Sequence, residues 1–569
     1  MRLLLAILLL RVCQYTSSFS FRTGVTRPLV SFLYSYSDDD DNPPPIDDDW
    51  RLFRAKLVNS TSPSFLPPTS SSLFAYDAQS AIETGSIIVG AYNPDLPAQF
   101  ALNQQYFHKS VILILDHDRQ RFTRGIILNR NVKRKMTIFN KSWEVYFGGD
   151  VGGFAVKKSL PEIVCIHSLK YNDQVDRVSM KVNNDISWTT IDAASILIDE
   201  KHATIDNFHT FCGYAGWAKD QLQGELERDC WFSIAADSNF LVDELKETNS
   251  DERNSGIQMW SRLMNLLGKP DIVEASTNSF SDLMLKMWTQ RMLFDRDNNS
   301  YENAPSDAPT TSTILKSSPI NRLIAASNQR SHDDYKGSGS IVVSTSPNFL
   351  LNQQQLHKAV VLVLEDSAAV TVGVIINRVS SSHIDVELNK IKTKKPIFFG
   401  GEYQMKGREK LLWIFQKKSI YKTGEIGMPV EPLRNEFFYV NTSGALDAIE
   451  RGIGTIDDFV VVNGVSVWTK GEGGEARGMA GEISSGHFAA PNKAFSKSSW
   501  EVLTKMEPLC DANVGSVVLR ANEVWAKNCD KNLAPVSEDA FVYDSDKTVN
   551  QLGDDALIEW IKVFMLQVY

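Results

Sequence analysis

Short continuous runs of β-branched and apolar residues recur along the chain, each bounded by Gly, Asp or Asn. The clearest runs lie at 87–89, 111–115 and 126–128. Runs of this length that are apolar throughout, rather than alternating with polar residues, are typical of strands buried on both faces. The pattern therefore predicts a covered β-sheet with one strand at each run.

The chain contains an internal repeat. The segment 85–89 returns at 339–343, and the offset between matching motifs drifts only from 248 to 254 residues. The other motifs, in order, are Asn103-Gln104-Gln105 with His108-Lys109, Gly125 to Arg130, and Phe147-Gly148-Gly149-Asp150, which return as Asn352-Gln353-Gln354 with His357-Lys358, Gly373 to Arg378, and Phe399-Gly400-Gly401-Glu402. A period this long matches a complete domain with its own core, so we predict two copies of one domain.

Helical periodicity is confined to fewer segments. The spacing of apolar residues predicts helices over 193–201 and 445–451, and over 260–267, which we pair with 500–506. Each copy also ends in an amphipathic helix, with stripe positions Asp282, Leu285, Trp288, Met292 and Leu293 in copy one and Asp554, Leu557, Trp560, Phe564 and Met565 in copy two. We interpret these stripes as core or inter-copy packing, with partner binding as the alternative.

The composition of the intervening segments sets the domain boundaries. An apolar run after Arg2 predicts a signal peptide over 1–20, and a Ser/Thr-rich, basic and then Asp/Pro-rich stretch predicts a transit peptide and disordered leader over 21–75. We place domain 1 at 76–296, a linker rich in Asn, Ser and Pro at 297–336, and domain 2 at 337–569.

The motifs together resemble the YqgE/AlgH family. The resemblance rests on a Gly-led strand, on Gly125 to Arg130, on Phe147-Gly148-Gly149 and on Gly213-Tyr214-Ala215-Gly216-Trp217. It covers roughly 83–268 well and 337–507 more loosely, where Tyr214 and Gly216 are replaced by Val465 and Val467. The resemblance implies an α+β fold: two tandem domains, each a curved mixed β-sheet forming a pseudo-barrel flanked by helices.

The bulk numbers exclude some function classes. With 569 residues, 43% hydrophobic and 22% charged, the chain has the composition of an ordinary globular protein. The family carries the label of transcriptional regulator, but nothing in the sequence resembles a helix-turn-helix, and a net charge of −10 has the wrong sign for direct nucleic-acid binding. The cysteines form no Cys-x-x-Cys pair, so the sequence predicts no metal and no cofactor.

Established catalytic motifs are missing from the sequence, and the candidate site is therefore built from the repeated and family-like positions. Asn129 and Arg130 end a buried strand, where an Arg can clamp an anion. The alternative that we favour is an ion pair of Arg130 with Asp150, and of Arg378 with Glu402. His108-Lys109 and His357-Lys358 are either polar strand ends, which we favour, or a general base beside a cation.

Two glycine-containing turns complete the candidate site. Gly148 and Gly149 allow a close backbone approach, which suits a tight turn as well as an anion site. Tyr214 and Trp217 are interpreted mainly as core and turn residues, with a ligand pocket as the alternative. The predicted ligand-binding residues are thus Asn129, Arg130, Gly148, Gly149, Tyr214 and Trp217, and no catalytic or metal-binding residue is predicted.

These observations favour a non-catalytic binding or regulatory protein with an unknown protein partner. The alternative is an enzyme or small-anion-binding protein that uses the Asn-Arg, Gly-Gly and Gly-Tyr-Ala-Gly-Trp elements of domain 1. The leader resembles the bipartite presequence of algae with complex plastids, because Phe19 and Phe21 open a basic, acid-free stretch after the signal peptide. We therefore expect import into a plastid (chloroplast), with the secretory pathway as the alternative and no transmembrane segment in the mature chain.

Residues 1–37 fused to a fluorescent protein should direct it to the plastid of an alga with a complex plastid. Replacing Phe19 and Phe21 with Ala should leave the fusion in the secretory route, because the signal peptide stays intact. Fluorescence microscopy decides the outcome, and signal from the unmodified presequence in the vacuole or medium would contradict the expectation.

Overall fold

The structure, a computed structural model, describes residues 75–294 and 334–566. Short segments within these ranges are not described: 80, 94–98, 119, 131–133, 154–160, 171, 184, 248–255, 346–348, 389–390, 406–408, 423–427, 430–435, 472–477 and 530–545. The predicted signal peptide, the leader up to residue 74, and the linker up to residue 333 lie outside the described residues.

Copy one contains two six-stranded sheets. Its strands are β1 (Ala75–Gln79), β2 (Ile87–Gly90), β3 (Val111–Asp118), β4 (Phe122–Ile127), β5 (Arg134–Ile138), β6 (Lys141–Phe147), β7 (Ile163–His167), β8 (Met180–Lys181), β9 (Ser187–Thr190), β10 (Phe208–Cys212), β11 (Ala215–Ala218) and β12 (Trp231–Ala236). The first sheet is antiparallel, in the order β1-β12-β2-β3-β4-β11, and the second is mixed, in the order β5-β6-β10-β7-β9-β8. In the second sheet, β6 and β10 are parallel.

Among the described residues, copy two repeats this arrangement with one strand fewer. Its strands are β13 (Ile341–Ser344), β14 (Val360–Asp366), β15 (Val370–Ile375), β16 (Val379–Leu388), β17 (Ile391–Phe399), β18 (Leu411–Phe415), β19 (Met428–Pro429), β20 (Phe438–Val440), β21 (Phe459–Asn463), β22 (Ser466–Thr469) and β23 (Phe488–Ala489). The sheets run β22-β15-β14-β13-β23 and β16-β17-β21-β18-β20-β19. The parallel pair recurs between β17 and β21.

The apolar runs found in the sequence form the central strands of the first sheet in each copy. All residues of β2 and the first five of β3 are buried, and so are those of β13 and the first five of β14. The β3–β4 pairing shifts register between Ile114 and Asp116, and the β14–β15 pairing shifts at the equivalent place, between Val363 and Glu365. The mixed α+β fold is thus present twice, although each copy has two sheets rather than one curved sheet.

Helices flank the sheets. In copy one they are α1 (Gln99–Asn103), α2 (Asp173–Val178), α3 (Ile191–Asp199), α4 (Gln221–Glu227), α5 (Ser238–Glu247), α6 (Ile257–Leu266), α7 (Pro270–Ala275) and α8 (Phe280–Trp288), which continues as a π-helical turn (Thr289–Phe294). In copy two they are α9 (Lys418–Lys422), α10 (Thr442–Glu450), α11 (Gly478–Ser484), α12 (Lys497–Thr504), α13 (Val514–Asn528) and α14 (Val549–Phe564). None of the described helices is long and apolar enough to cross a membrane.

The helices predicted over 260–267 and 445–451 are present as α6 and α10, but one predicted pairing between copies is wrong. Gly268 follows α6 and Gly452 follows α10, with φ of 68° and 69°. Both glycines therefore adopt the left-handed backbone conformation that commonly ends a helix. The counterpart of Trp260 is Trp525, not Trp500, because their indole Nε1 atoms donate to Gly90 O and Ser344 O, each over 2.8 Å. Trp500 lies in α12, the helix before α13. The sequence match paired 260–267 with α12 instead of α13.

The two copies meet through a reciprocal interface around the first helix of copy one. Gln105 Nε2 donates to Leu351 O over 2.9 Å, and the equivalent Gln354 Nε2 donates to Leu102 O over 2.6 Å. Leu102 packs in the core of copy two, whereas Leu350 and Leu351 pack in the core of copy one. Residue i contacts residue j while j contacts i, so the copies form a self-complementary pair within one chain.

The terminal helices complete this interface, which confirms the interpretation of their stripes as core and inter-copy packing. Val549, Leu552 and Ala556 of α14 join the core cluster that contains Leu285 and Trp288 of α8. Within the stripes, Met292 and Phe564 are 38% and 42% exposed, whereas Leu293 is buried in the core of copy one. Ser279 begins α8 by accepting from Asp282 N, and Thr548 begins α14 by accepting from Gln551 N.

The reciprocal interface should hold the copies together without a covalent connection. A protease site inserted within 297–336 should, after cleavage, leave copies that elute as one species on size exclusion, because each copy contributes buried leucines to the other's core. Adding Leu102→Asp and Leu351→Asp should separate the fragments, since each change buries a charge without a partner. Two separate peaks from the cleaved protein without these substitutions would contradict the interface.

Candidate functional site

Asn129 is buried at the end of β4, where its side chain ties three segments together. Its Oδ1 accepts from Val111 N over 2.9 Å, and its Nδ2 donates to Lys109 O and Gly256 O over 2.9 and 2.8 Å. Asn377 makes the equivalent bonds in copy two, with Val360 N, Lys358 O and Ala521 O as partners. In both copies this amide therefore joins the first sheet to the helix α6 or α13.

Arg130 is also buried, at 1% exposure, and its guanidinium donates to the backbone carbonyls of Tyr106, Asn129 and His108. Burial lowers its pKa to about 9, as it does for Arg378. Arg378 donates to the equivalent carbonyls, those of Gln355, Asn377 and His357.

The predicted ion pair of Arg130 with Asp150 is wrong. The Asp150 carboxylate accepts from the Tyr106 hydroxyl. In copy two, Glu402 accepts from the side chain of Gln355 over 3.3 Å, and Arg378 again bonds to carbonyls. The guanidinium of Arg130 donates to carbonyls at the turn 105–107, and that of Arg378 donates to carbonyls at the turn 354–356. These carbonyls lie beside the end of a strand, where the sheet provides no donor for them.

The repeated His-Lys pair forms a buried network with an aspartate from the terminal helix. His108 Nε2 lies 2.8 Å from Asp282 Oδ1, and Lys109 Nζ lies 3.0 Å from Asp282 Oδ2 and 3.0 Å from Ser276 O. All three side chains are less than 10% exposed. The network recurs in copy two, where His357 and Lys358 contact Asp554 over 3.1 and 2.9 Å.

Burial and the opposite charges set the protonation of this network. Burial lowers the pKa of His108 more than the Asp282 carboxylate raises it, and burial likewise lowers the pKa of Lys109. Burial alone would raise the pKa of Asp282, but the hydrogen bond from His108 and the charge of Lys109 outweigh it and lower that pKa. The network thus holds α8 against the first sheet through an ion pair that solvent does not reach.

Asp282 and Asp554 were missed as partners of the His-Lys pairs. Two signals pointed to them: the His-Lys pair recurs, and the two aspartates hold the same place in the two terminal helices. Neither signal shows that these side chains meet, because Lys109 and Asp282 are 173 positions apart in the sequence. The packing of α8 on the first sheet brings them together. The favoured interpretation of the His-Lys pairs as polar strand ends does not include an ion pair with a buried aspartate.

The Gly-Gly turn and the Gly-Tyr turn pack directly on each other. A Cβ atom on Gly149 would lie 2.1 Å from the carbonyl carbon of Tyr214, and one on Gly148 would lie 2.5 Å from Gly213 O. Gly148 O accepts from Ile127 N over 2.9 Å, so the turn also joins the first sheet to the end of β6. The predicted close backbone approach is therefore present, and its immediate neighbour is backbone.

Trp217 is 2% exposed and lies in the core of copy one. Its Nε1 donates to Glu225 Oε2 over 3.0 Å, and Trp231 Nε1 donates to the same oxygen over 2.8 Å. In copy two, Glu482 keeps the carboxylate and His487 contacts it over 2.7 Å. The core interpretation of Trp217 is confirmed, and its ring packs against Phe107 and Trp231.

Tyr214 belongs to a different group of residues, which we name the Arg124 cluster: Arg124, Glu162, Trp188, Tyr214 and Phe122. The Arg124 guanidinium carbon lies 4.3 Å from the centre of the Tyr214 ring and 5.4 Å from that of Trp188. Its Nη2 donates to the Glu162 carboxylate. The ring of Phe122, 38% exposed, meets Tyr214 edge to face at 6.2 Å. The cluster is a cation between two aromatic rings with a carboxylate at its solvent side.

Copy two lacks every member of the Arg124 cluster. The strand pairings place Val372, Val465 and Val370 where copy one has Arg124, Tyr214 and Phe122. They likewise place Tyr439 and Lys410 where copy one has Trp188 and Glu162. Arg124, Glu162 and Trp188 were not singled out from the sequence, although the difference between the two copies at these positions was visible there.

The structure therefore divides the predicted ligand-binding residues into four places. Asn129 and Arg130 lie with the buried His-Lys-Asp network, Gly148 and Gly149 lie against the Tyr214 backbone, the Tyr214 ring lies in the Arg124 cluster, and Trp217 lies in the core. Elsewhere on copy one, a depression of about 150 Å³ is lined by residues that include His167, His209 and Lys246. Among the described residues, no group of His, Cys, Asp or Glu is placed to hold a metal ion.

Comparison with known proteins identifies the family. The sequence profile described as AlgH-like matches residues 96–270 and 343–475, together more than half of the chain. The chain belongs to the AlgH-like family and carries the family's domain twice.

The relatives found are bacterial proteins the length of one copy. The chain is 28% identical over 151 residues to a UPF0301 protein of Mycolicibacterium smegmatis, covering 25% of this chain and 70% of the relative. It is 26% identical over 170 residues to a UPF0301 protein of Cytophaga hutchinsonii, covering 29% and 84%. These names specify no reaction and no ligand.

Two solved structures are similar to parts of the chain. One is the crystal structure of protein DIP2367 from Corynebacterium diphtheriae, 19% identical, which covers 34% of this chain and 92% of that protein with a TM-score of 0.24. The other is the solution structure of the AlgH protein from Pseudomonas aeruginosa, 16% identical, which covers 32% and 89% with a TM-score of 0.21.

The ion pair of Lys109 with Asp282 should show strong energetic coupling. Lys109→Ala or Asp282→Ala alone should lower the free energy of unfolding by about 3–5 kcal/mol, because each leaves a buried charge unpaired. The double variant should lose less than the sum, with a coupling well above about 0.5 kcal/mol, the usual limit for independent sites. The same cycle on the exposed pair Arg121 and Asp118, 3.8 Å apart, should give at most about 1 kcal/mol. Denaturant unfolding provides the measurement, and additivity at Lys109 and Asp282 would refute the pairing.

Gly149→Ala should destabilise copy one by about 2–5 kcal/mol, because its Cβ would meet the Tyr214 carbonyl and the backbone would have to move. Gly224→Ala is the matched control: it lies in α4, where the nearest atom is the flexible end of Arg228 at 3.4 Å. That change should stabilise by up to about 1 kcal/mol. A Gly149→Ala protein with the unfolding midpoint of the wild type would show that the turns are not in contact.

Proposed function

We propose that this chain is a non-catalytic binding or regulatory protein in which copy one carries the binding surface and copy two is a fused structural partner. One observation carries the proposal. The Asn-Arg and His-Lys side chains shared by both copies are buried and bonded to backbone or to an aspartate of the terminal helix, whereas the partly exposed Arg124 cluster occurs in copy one alone. Residues that serve the fold are expected in both copies, while a binding surface needs only one.

The alternative, an enzyme or small-anion-binding protein that uses Asn129 and Arg130, has less support. Both side chains are buried and already bonded to carbonyl or amide groups of the backbone. An anion at Arg130 would have to displace those bonds and leave buried carbonyls without donors, which costs about 1–3 kcal/mol for each. The two sheets of each copy are compatible with the pseudo-barrel that the family resemblance implies.

Import into a plastid is part of this proposal, supported by the signal-like run followed by a Phe-led basic stretch in residues 1–37. The partner is then a plastid protein or a small molecule held by copy one. Direct contact with nucleic acid has little support, because the net charge is −10.

Proximity labelling from the plastid tests the proposal. The full chain fused to a labelling enzyme should enrich a reproducible partner over a presequence-only control. The same full chain purified from plastids should be examined by native mass spectrometry for a small molecule that remains bound. Either a partner or a bound molecule supports a binding role, whereas neither one, together with turnover of a substrate by the purified chain, would overturn it.

A further inference from the structure

The guanidinium of Arg124 donates to its carboxylate partner, Glu162, through only one of the two N–H groups on the facing edge. Its Nη2 donates to Glu162 Oε1, but its Nε is buried and, among the described residues, donates to no acceptor. Nε and Nη2 form one edge of the planar guanidinium, the edge that binds a carboxylate through two parallel hydrogen bonds. One donor of that two-pronged edge, Nε, therefore has no acceptor among the described residues.

The neighbouring indole adds a second donor without an acceptor. Trp188 is 7% exposed, and its Nε1 is buried and bonds to no described acceptor. A buried N–H group without an acceptor destabilises the folded protein. Copy two folds the same strands with Val372 and Tyr439 at these positions, so the fold itself does not require the donors.

The surroundings of Arg124 define what could bind there. Glu162 has a side chain that is 47% exposed, so its carboxylate occupies the solvent-facing approach to Nη2. Phe122 at 38% exposure and Val151 at 41% exposure lie on either side of Tyr214 at the surface. A charged group entering beside Arg124 would therefore be flanked by apolar and aromatic side chains.

We propose that the Arg124 cluster of copy one is a binding site for a carboxylate attached to an apolar or aromatic group. The ligand carboxylate takes both Nε and Nη2 of Arg124, displaces Glu162 toward solvent, and its apolar body packs on Phe122 and Tyr214. Glu162 acts as an internal competitor that occupies the site when the ligand is absent. This inference rests on the binding role proposed above and assigns it a location and a ligand chemistry.

Binding of 3-phenylpropionate to the full chain tests the proposal, measured by ligand-detected saturation-transfer NMR with 3-phenylpropionamide as the uncharged control. The acid should bind and the amide should not. A peptide that ends in a Phe carboxylate, compared with its amidated form, shows whether the carboxylate can also be supplied by a protein terminus. Preference for the free acid would indicate a small-molecule source, and preference for the peptide a protein source.

Three variants separate binding from folding. Arg124→Lys keeps the positive charge between the rings but removes the two-pronged edge, so binding should weaken at least tenfold with little change in melting temperature. Glu162→Gln removes the competing charge and should tighten binding about threefold or more, a gain that a purely structural ion pair would not produce. Arg121→Lys, the same change at an exposed arginine of this domain, should bind as the wild type does.

Equal binding of the acid and the amide, wild-type binding by Arg124→Lys, or no gain in Glu162→Gln would each overturn the site. Absence of binding by every probe would do the same. If the full chain still captures a plastid partner and Arg124→Lys leaves that capture unchanged, the site is wrong and the binding role stands. If neither partner nor bound molecule is found and the purified chain turns over a substrate, the binding role itself fails.

Discussion

A buried guanidinium at the end of a central strand is the interaction on which each copy depends. Arg130 and Arg378 donate to carbonyls at the turn that precedes the neighbouring strand, β3 or β14, and the adjacent Asn129 and Asn377 join Lys109 or Lys358 to a helix. Backbone carbonyls at such a junction cannot be paired by the sheet and must find donors elsewhere. An Arg, with five donors in a fixed plane, can serve several at once. The cost of burying its charge is visible in its lowered pKa.

This junction also positions the buried ion pair. The His108 and Lys109 side chains leave the same turn to reach Asp282, which lies near the start of α8. The helix is thereby held on the sheet, and its apolar face becomes part of the interface with copy two. Polar contacts thus run from the strand end to α8, and the apolar face of α8 makes the contact between copies. The binding site that we propose lies outside this network of contacts. It is formed by the residues of the Arg124 cluster, which copy two lacks.

Much of the fold could be predicted from the sequence because its signals are local. Apolar runs predicted the central strands from neighbouring residues alone, and the repeat, a match between segments 248 to 254 residues apart, predicted two copies. The failures concern distant contacts. The opposite charges suggested that Arg130 pairs with Asp150. In the structure the guanidinium of Arg130 instead donates to backbone carbonyls, those of Tyr106 and Asn129 among them. A local match suggested Trp500 as the counterpart of Trp260, whereas the indole hydrogen bonds identify Trp525.

The candidate site was predicted least well. Tyr214 was selected for its motif, but its neighbours Arg124, Glu162 and Trp188 come from three other segments and were invisible to a motif search. Comparing the two copies position by position is a stronger guide, because one copy serves as a control for what the fold needs. Applied here, that comparison separates Asn129, Arg130, Gly148 and Gly149, which recur, from Tyr214, which does not.

The reciprocal bonds of Gln105 and Gln354 have a consequence for how the molecule assembles. Two separate domains that meet through a self-complementary face associate according to their concentration, and dilution parts them. Joining them in one chain replaces that concentration by an effective one, commonly in the millimolar range for a short flexible connection. The pair then forms at any abundance of the protein, and the two halves always meet as unlike partners, so that one can diverge at its surface while the other preserves the shared core.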